Sequence, residues 1–79
     1  MNYSDGQRVE VGDIVCLGDQ HTGVVVCCVS DGVYSENYTE AEWGFLKRGL
    51  VVLFSDFGPI HYDEAEDDLE LISRAGAVF

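Results

Sequence analysis

Two apolar runs of strand length, Val11-Gly12-Asp13-Ile14-Val15-Cys16-Leu17 and Gly23-Val24-Val25-Val26-Cys27-Cys28-Val29, flank a stretch rich in turn formers, Gly18-Asp19-Gln20-His21-Thr22. Two such runs bury a common face only if the chain reverses between them. A small β-barrel is therefore the first architecture to consider.

The rest of the chain reads as further short strands with one interruption. Val9 and Val11 alternate with Arg8 and Glu10 as an extended lead-in, after a turn signal at Asp5-Gly6. Strands are expected over 14–17, 23–29, 50–54, 59–62 and 69–72. The second is almost continuously apolar, which predicts a central position with both faces covered. Ser55-Asp56-Phe57-Gly58 supplies a reversal, and Pro59 at the first position of a strand removes no ladder hydrogen bond. Between the second and third strands, Thr39-Glu40-Ala41-Glu42 matches a capping box. A short helix over 40–46 follows, with Lys47 and Arg48 at its negative end and Gly49 as its stop. So short a helix is unstable alone, so Trp43 or Leu46 must anchor it. The expectation is one domain over 1–79, with a core over 9–72 and a loose tail over 73–79.

This pattern resembles an SH3-like barrel. Val11-Gly12-Asp13-Ile14-Val15 opens it, Gly23-Val24-Val25-Val26 follows, and Asp67-Asp68-Leu69-Glu70-Leu71-Ile72 returns to pair near the first strand. The resemblance implies an all-β, five-stranded SH3-like barrel with a short helical insertion between strands 2 and 3. Trp43-Gly44-Phe45-Leu46-Lys47-Arg48-Gly49 with Gly58-Pro59-Ile60-His61-Tyr62 is also similar to small uncharacterised bacterial proteins, which imply no activity. A more distant likeness is to type II dihydrofolate reductases, tetrameric SH3-like barrels of similar length. Against their late-strand Val-Gln-Ile-Tyr, this chain has Pro59-Ile60-His61-Tyr62, and only Tyr62 corresponds. Ile60 stands in place of the glutamine, so the contacts to pterin and nicotinamide are not retained. What that resemblance leaves is a tendency to self-associate.

Fifteen acids against four bases give a formal net charge of −11. Such a surface repels nucleic acid phosphates and anionic lipids; it would attract a basic protein surface, and solubility alone is the favoured reading of the charge. No apolar run approaches the ~20 residues of a membrane span. The first residues carry neither a basic nor an apolar leader pattern, so the expected compartment is the cytoplasm. Cys16, Cys27 and Cys28 are odd in number, which argues against a disulfide framework. Cys27 and Cys28 should point to opposite faces of a sheet, one of them outward.

Two groups of residues are candidate binding sites. Tyr34, Tyr38, Trp43 and Phe45, with Glu40, could form an aromatic groove for a basic peptide, since Tyr and Trp each offer a large apolar face and one hydrogen-bonding group. The competing use of Trp43 and Phe45 is to pin the helix, and it is favoured. Asp63, Glu64, Glu66, Asp67, Asp68 and Glu70 form an acidic run without the glycine and spacing of a calcium loop. A solvated rim is the favoured reading, and a docking surface for a basic protein, through Asp63, Glu64 and Asp67, is the sharper one. His61 should face away from Ile60 and Tyr62, and neither it nor His21 has a partner nucleophile in sequence. No catalytic residue, metal site or cofactor is assigned.

These observations lead to a non-enzymatic protein-binding module for a basic partner, for example an immunity or inhibitor protein, with homodimerisation through open strand edges. The alternative is a small oligomeric ligand-binding barrel or enzyme with its site at a subunit interface.

Overall fold

The structure, a computed structural model, describes residues 1–18, 20–65 and 67–74. The turn residue Asp19, Glu66 of the acidic run and the tail segment 75–79 lie outside the described residues.

The fold is mostly β-strand with one short helix. Its strands are β1 (Asp13–Leu17), β2 (His21–Cys28), β3 (Val33–Tyr34), β4 (Leu50–Phe54), β5 (Gly58–Tyr62) and β6 (Leu69–Arg74). They form one antiparallel sheet in the order β5-β4-β2-β1-β6, with β3 paired to β2. β2 is central, as its apolar run predicts. Among the described residues the strand count is six rather than five. The extra strand, β3, has two residues, too few for any alternation to be read; Gly32, in a left-handed conformation (φ 69°), turns the chain into it.

Nor does the sheet close as expected. Its end strands, β5 and β6, are not paired with each other among the described residues. Pro59 helps explain this. It pairs with Leu53 while lacking an N–H, so the outward edge of β5 is short of one donor.

One core lies on the inner face. Val15 of β1, Val25 and Cys28 of β2, Leu50, Val52 and Phe54 of β4 and Leu69 of β6 pack there with Tyr3 and Val9, while Tyr62 of β5 packs against the cluster. Strands from both ends of the sheet thus share one apolar centre. A second cluster, Val26, Cys27, Val29 and Val51, lies on the outer face under Tyr34, Tyr38, Trp43 and Leu46. The alternation in β4 is clean, with 50, 52 and 54 inward and 51 outward. In β2 a bulge between Val25 and Cys27 shifts it, so the inward set passes from odd to even numbers. Cys27 and Cys28 therefore do face opposite sides. Neither is exposed, however, because the insertion covers the outer thiol.

The ends of the chain are more engaged than expected. Tyr3 is buried in the inner core, and β6 runs two residues past its expected end. The reason is Asp13, which is 1% exposed. Its carboxylate accepts the Tyr3 hydroxyl at 2.6 Å, the Glu10 N–H at 3.0 Å and the Arg74 guanidinium at 3.3 Å. Arg74 also donates to the Arg8 carbonyl at 2.9 Å. A buried carboxylate must be paired and hydrogen-bonded to be tolerated. Asp13 meets that need by drawing the lead-in and the last strand to β1, so Ser73 and Arg74 are sheet rather than tail.

Candidate binding surface

The insertion begins at Thr39, whose extended backbone precedes α1 (Glu40–Trp43), and continues as a 3-10 turn, Gly44–Leu46. Thr39 occupies the expected N-cap position, but its side chain makes no cap hydrogen bond to the backbone. The Thr39 carbonyl instead accepts the N–H groups of Glu42 and Trp43 at 3.1 and 2.8 Å. The stop is Lys47, held left-handed at φ 68°, two residues before the expected Gly49. Gly49 has a different role. At φ 92° it packs directly against the Tyr62 carbonyl, and a Cβ there would collide with that backbone.

The aromatic candidates converge, mostly for packing. Tyr38 and Trp43 rings lie 5.5 Å apart, and both rest on the outer cluster with Tyr34 and Leu46. Glu40 and Tyr34 meet over Gly44, whose Cβ would lie 3.1 Å from Glu40 Cγ and 3.7 Å from Tyr34 Oη. Desolvation first, and the Glu40 carboxylate second, raise the Tyr34 phenol above its ordinary pKa. Trp43 thus anchors the helix as expected, but Phe45 does not: it is 72% exposed. In a 3-10 turn residues three apart share a face. Trp43 and Leu46 face the sheet, which leaves Phe45 outside.

The acidic candidates lie elsewhere. Asp63, Glu64, Asp67 and Asp68, all exposed, line an open groove of about 900 Å³ with Arg48, His61 and Tyr62. None of Tyr34, Tyr38, Glu40, Trp43 and Phe45 lines it, so the binding candidates form two surfaces rather than one. Arg48 and His61 belong to the groove although neither was among those candidates. The β4–β5 register could have placed Arg48: Leu50 pairs with Tyr62, and two further steps set Arg48 across from Glu64. The two side chains lie 3.5 Å apart. His61 faces away from the inner core, as expected, with its Nε2 2.9 Å from the Arg48 carbonyl, which ties the end of the insertion to β5.

Other polar features show less chemical promise. A second groove, about 480 Å³, is lined by Arg8, Val9, Val11, Cys28, Asp31 and Val33. Its Cys28 Sγ lies 3.5 Å from Asp31 Oδ2. Burial first, then the Asp31 charge, raise this thiol's pKa, although a backbone hydrogen bond opposes the shift. The thiol stays protonated at neutral pH and is a poor nucleophile. His21 Nδ1 lies 2.7 Å from Asp56 and its ring meets Phe57 at a 54° tilt with centroids 4.5 Å apart, a contact that joins the β1–β2 and β4–β5 turns. Among the described residues no group of three or more His, Cys, Asp or Glu side chains could hold a metal ion, and no helix is long and apolar enough to cross a membrane. Comparison with protein-family models, with curated proteins and with solved structures found no match to this chain.

Proposed function

We propose that this chain is a non-enzymatic protein-binding module whose acidic groove takes a basic segment of a partner protein in the cytoplasm. The observation that carries this reading is the composition of the groove: four exposed carboxylates, Asp63, Glu64, Asp67 and Asp68, against one guanidinium that already faces Glu64. The net charge of −11 extends the same field over the molecule. Carboxylates at an exposed rim act mainly on the rate of encounter and on the choice of partner. Tyr34, Tyr38 and Trp43 then serve the module by fixing its scaffold, with Glu40 adding to the field. The strand order and the insertion between β2 and β4 support an SH3-like arrangement in which the curled sheet stays open. An immunity or inhibitor protein that covers a basic toxin or nuclease is one concrete form.

The test is titration of the full chain with a Lys/Arg-rich peptide and with an acidic peptide of equal length. The basic peptide should bind, with an association rate that falls steeply as salt rises, and Asp67→Asn with Asp68→Asn should slow it. An on-rate indifferent to salt, or equal binding of the acidic peptide, overturns the reading.

A further inference from the structure

We infer that the tip of the insertion, Phe45, Lys47 and Arg48, docks on the acidic groove of a second copy of this chain, each copy offering its tip to the other in a two-fold dimer. The fold gives the side chains of Phe45 and Lys47 no packing or pairing role among the described residues. Phe45 is the most exposed of the large apolar residues among those described, and Trp43 and Leu46 already anchor the helix. Lys47 holds a left-handed backbone, a conformation that side chains other than glycine adopt at a cost. Its side chain is exposed and has no ion pair among the described residues.

Charge selects the occupant. Of the four basic residues, Arg8 faces Asp31, and Arg74 faces Asp13 and Glu10. Arg48 faces Glu64 of its own groove, which leaves the Lys47 side chain as the outward positive charge with no ion pair among the described residues. Two copies at −11 each repel in most orientations, so the encounter least opposed brings this tip to a cluster of carboxylates. Arg48 itself lines the groove, so basic tip and acidic groove adjoin on one side of the molecule. That juxtaposition is self-complementary: under a two-fold axis each tip meets the other groove. Phe45 supplies the apolar anchor that a charged rim lacks. The inference does not depend on the basic-partner reading. If both hold, the second copy and the partner compete for Asp63, Glu64, Asp67 and Asp68, and self-association holds the module closed.

Sedimentation equilibrium of the full chain tests this. Wild type should show a concentration-dependent monomer–dimer equilibrium. Lys47→Glu alone and Asp67→Lys alone should each weaken it by about tenfold or more, because each change acts twice in a symmetric dimer. Phe45→Ser should weaken it as well. A one-to-one mixture of Lys47→Glu and Asp67→Lys chains should restore it, since both reciprocal contacts then pair opposite charges. All three substitutions lie at exposed positions, and circular dichroism confirms that each chain is folded. A wild type that stays monomeric from micromolar to millimolar concentration overturns the inference, as does a mixture that fails to recover. A monomer that still binds the basic peptide sinks the dimer and spares the partner reading; a dimer that ignores the peptide does the reverse.

Discussion

The two faces of β2 and β4 are both buried, by different means. The inner face draws on the whole chain, from Tyr3 and Val9 to Leu69, and is fixed at one margin by the carboxylate of Asp13. The outer face is covered chiefly by the segment from β3 through the insertion, whose Tyr34, Tyr38, Trp43 and Leu46 are only partly buried. The contrast teaches that stability is concentrated inside the sheet. The outer cover positions a surface and has less to lose.

Substitutions that separate the faces should differ in size. Phe54→Ala, on the inner face, should cost about 3–5 kcal/mol by removing a fully buried ring. In a domain this small that leaves much of the chain unfolded, visible as lost near-ultraviolet circular dichroism. Asp13→Ala comes next, at about 3 kcal/mol, because the Tyr3 hydroxyl and the Glu10 N–H lose their acceptor and Arg74 its buried charge partner. Urea denaturation that leaves this variant at wild-type stability breaks the account of Asp13 as the tie between the chain ends.

Trp43→Ala, on the outer face, should cost about 2 kcal/mol, below the range for a fully buried aromatic, since the side chain is only half-buried. A cost as large as that of Phe54→Ala would show that the two faces contribute equally. Phe45→Ser should change stability by no more than about 0.5 kcal/mol.

Alkaline pH should act on both faces, because burial raises the outer Cys27 thiol and Tyr34 phenol as well, with the largest shift at Tyr3 on the inner face. Burial first, and the hydrogen bond to Asp13 second, push the Tyr3 phenol above its ordinary range, and burial raises the Cys28 thiol. The folded chain holds these protons more tightly than the unfolded chain does. The associated stability is complete below the free values, about 8.5 for the thiol and about 10 for the phenol, and is lost as pH rises beyond them. Melting temperature should therefore decline above about pH 8.5 and more steeply above about 10. Tyr3→Phe should flatten the upper step, and a decline unchanged by that substitution removes Tyr3 from the explanation.

The long strands were legible because each carries its own pattern: Leu50 to Phe54 alternate between two buried faces, and the apolar run of β2 is covered on both. The helix was legible from Thr39 to Leu46, though the identity of its stop was not, because any residue can be forced left-handed when Gly49 is already committed to the Tyr62 carbonyl. Asp13 reads in sequence as a turn former, and only its burial beside Tyr3 and Arg74 gives it another role. Of the candidate surface, the acids were legible and their grouping was not. Arg48 reached them through hairpin register, and Trp43 was drawn away from them by the outer cluster.

Sequence alone determined the strand-rich character, the central place of β2, the turn before β5 and the strong negative charge, because each follows from neighbouring residues or from a simple count. Tertiary structure decided the openness of the sheet, the burial of both adjacent thiols, the tie through Asp13 and the separation of the aromatic from the acidic surface. Those depend on which distant segments meet, and the free energy that settles such meetings belongs to contacts between residues far apart in the chain.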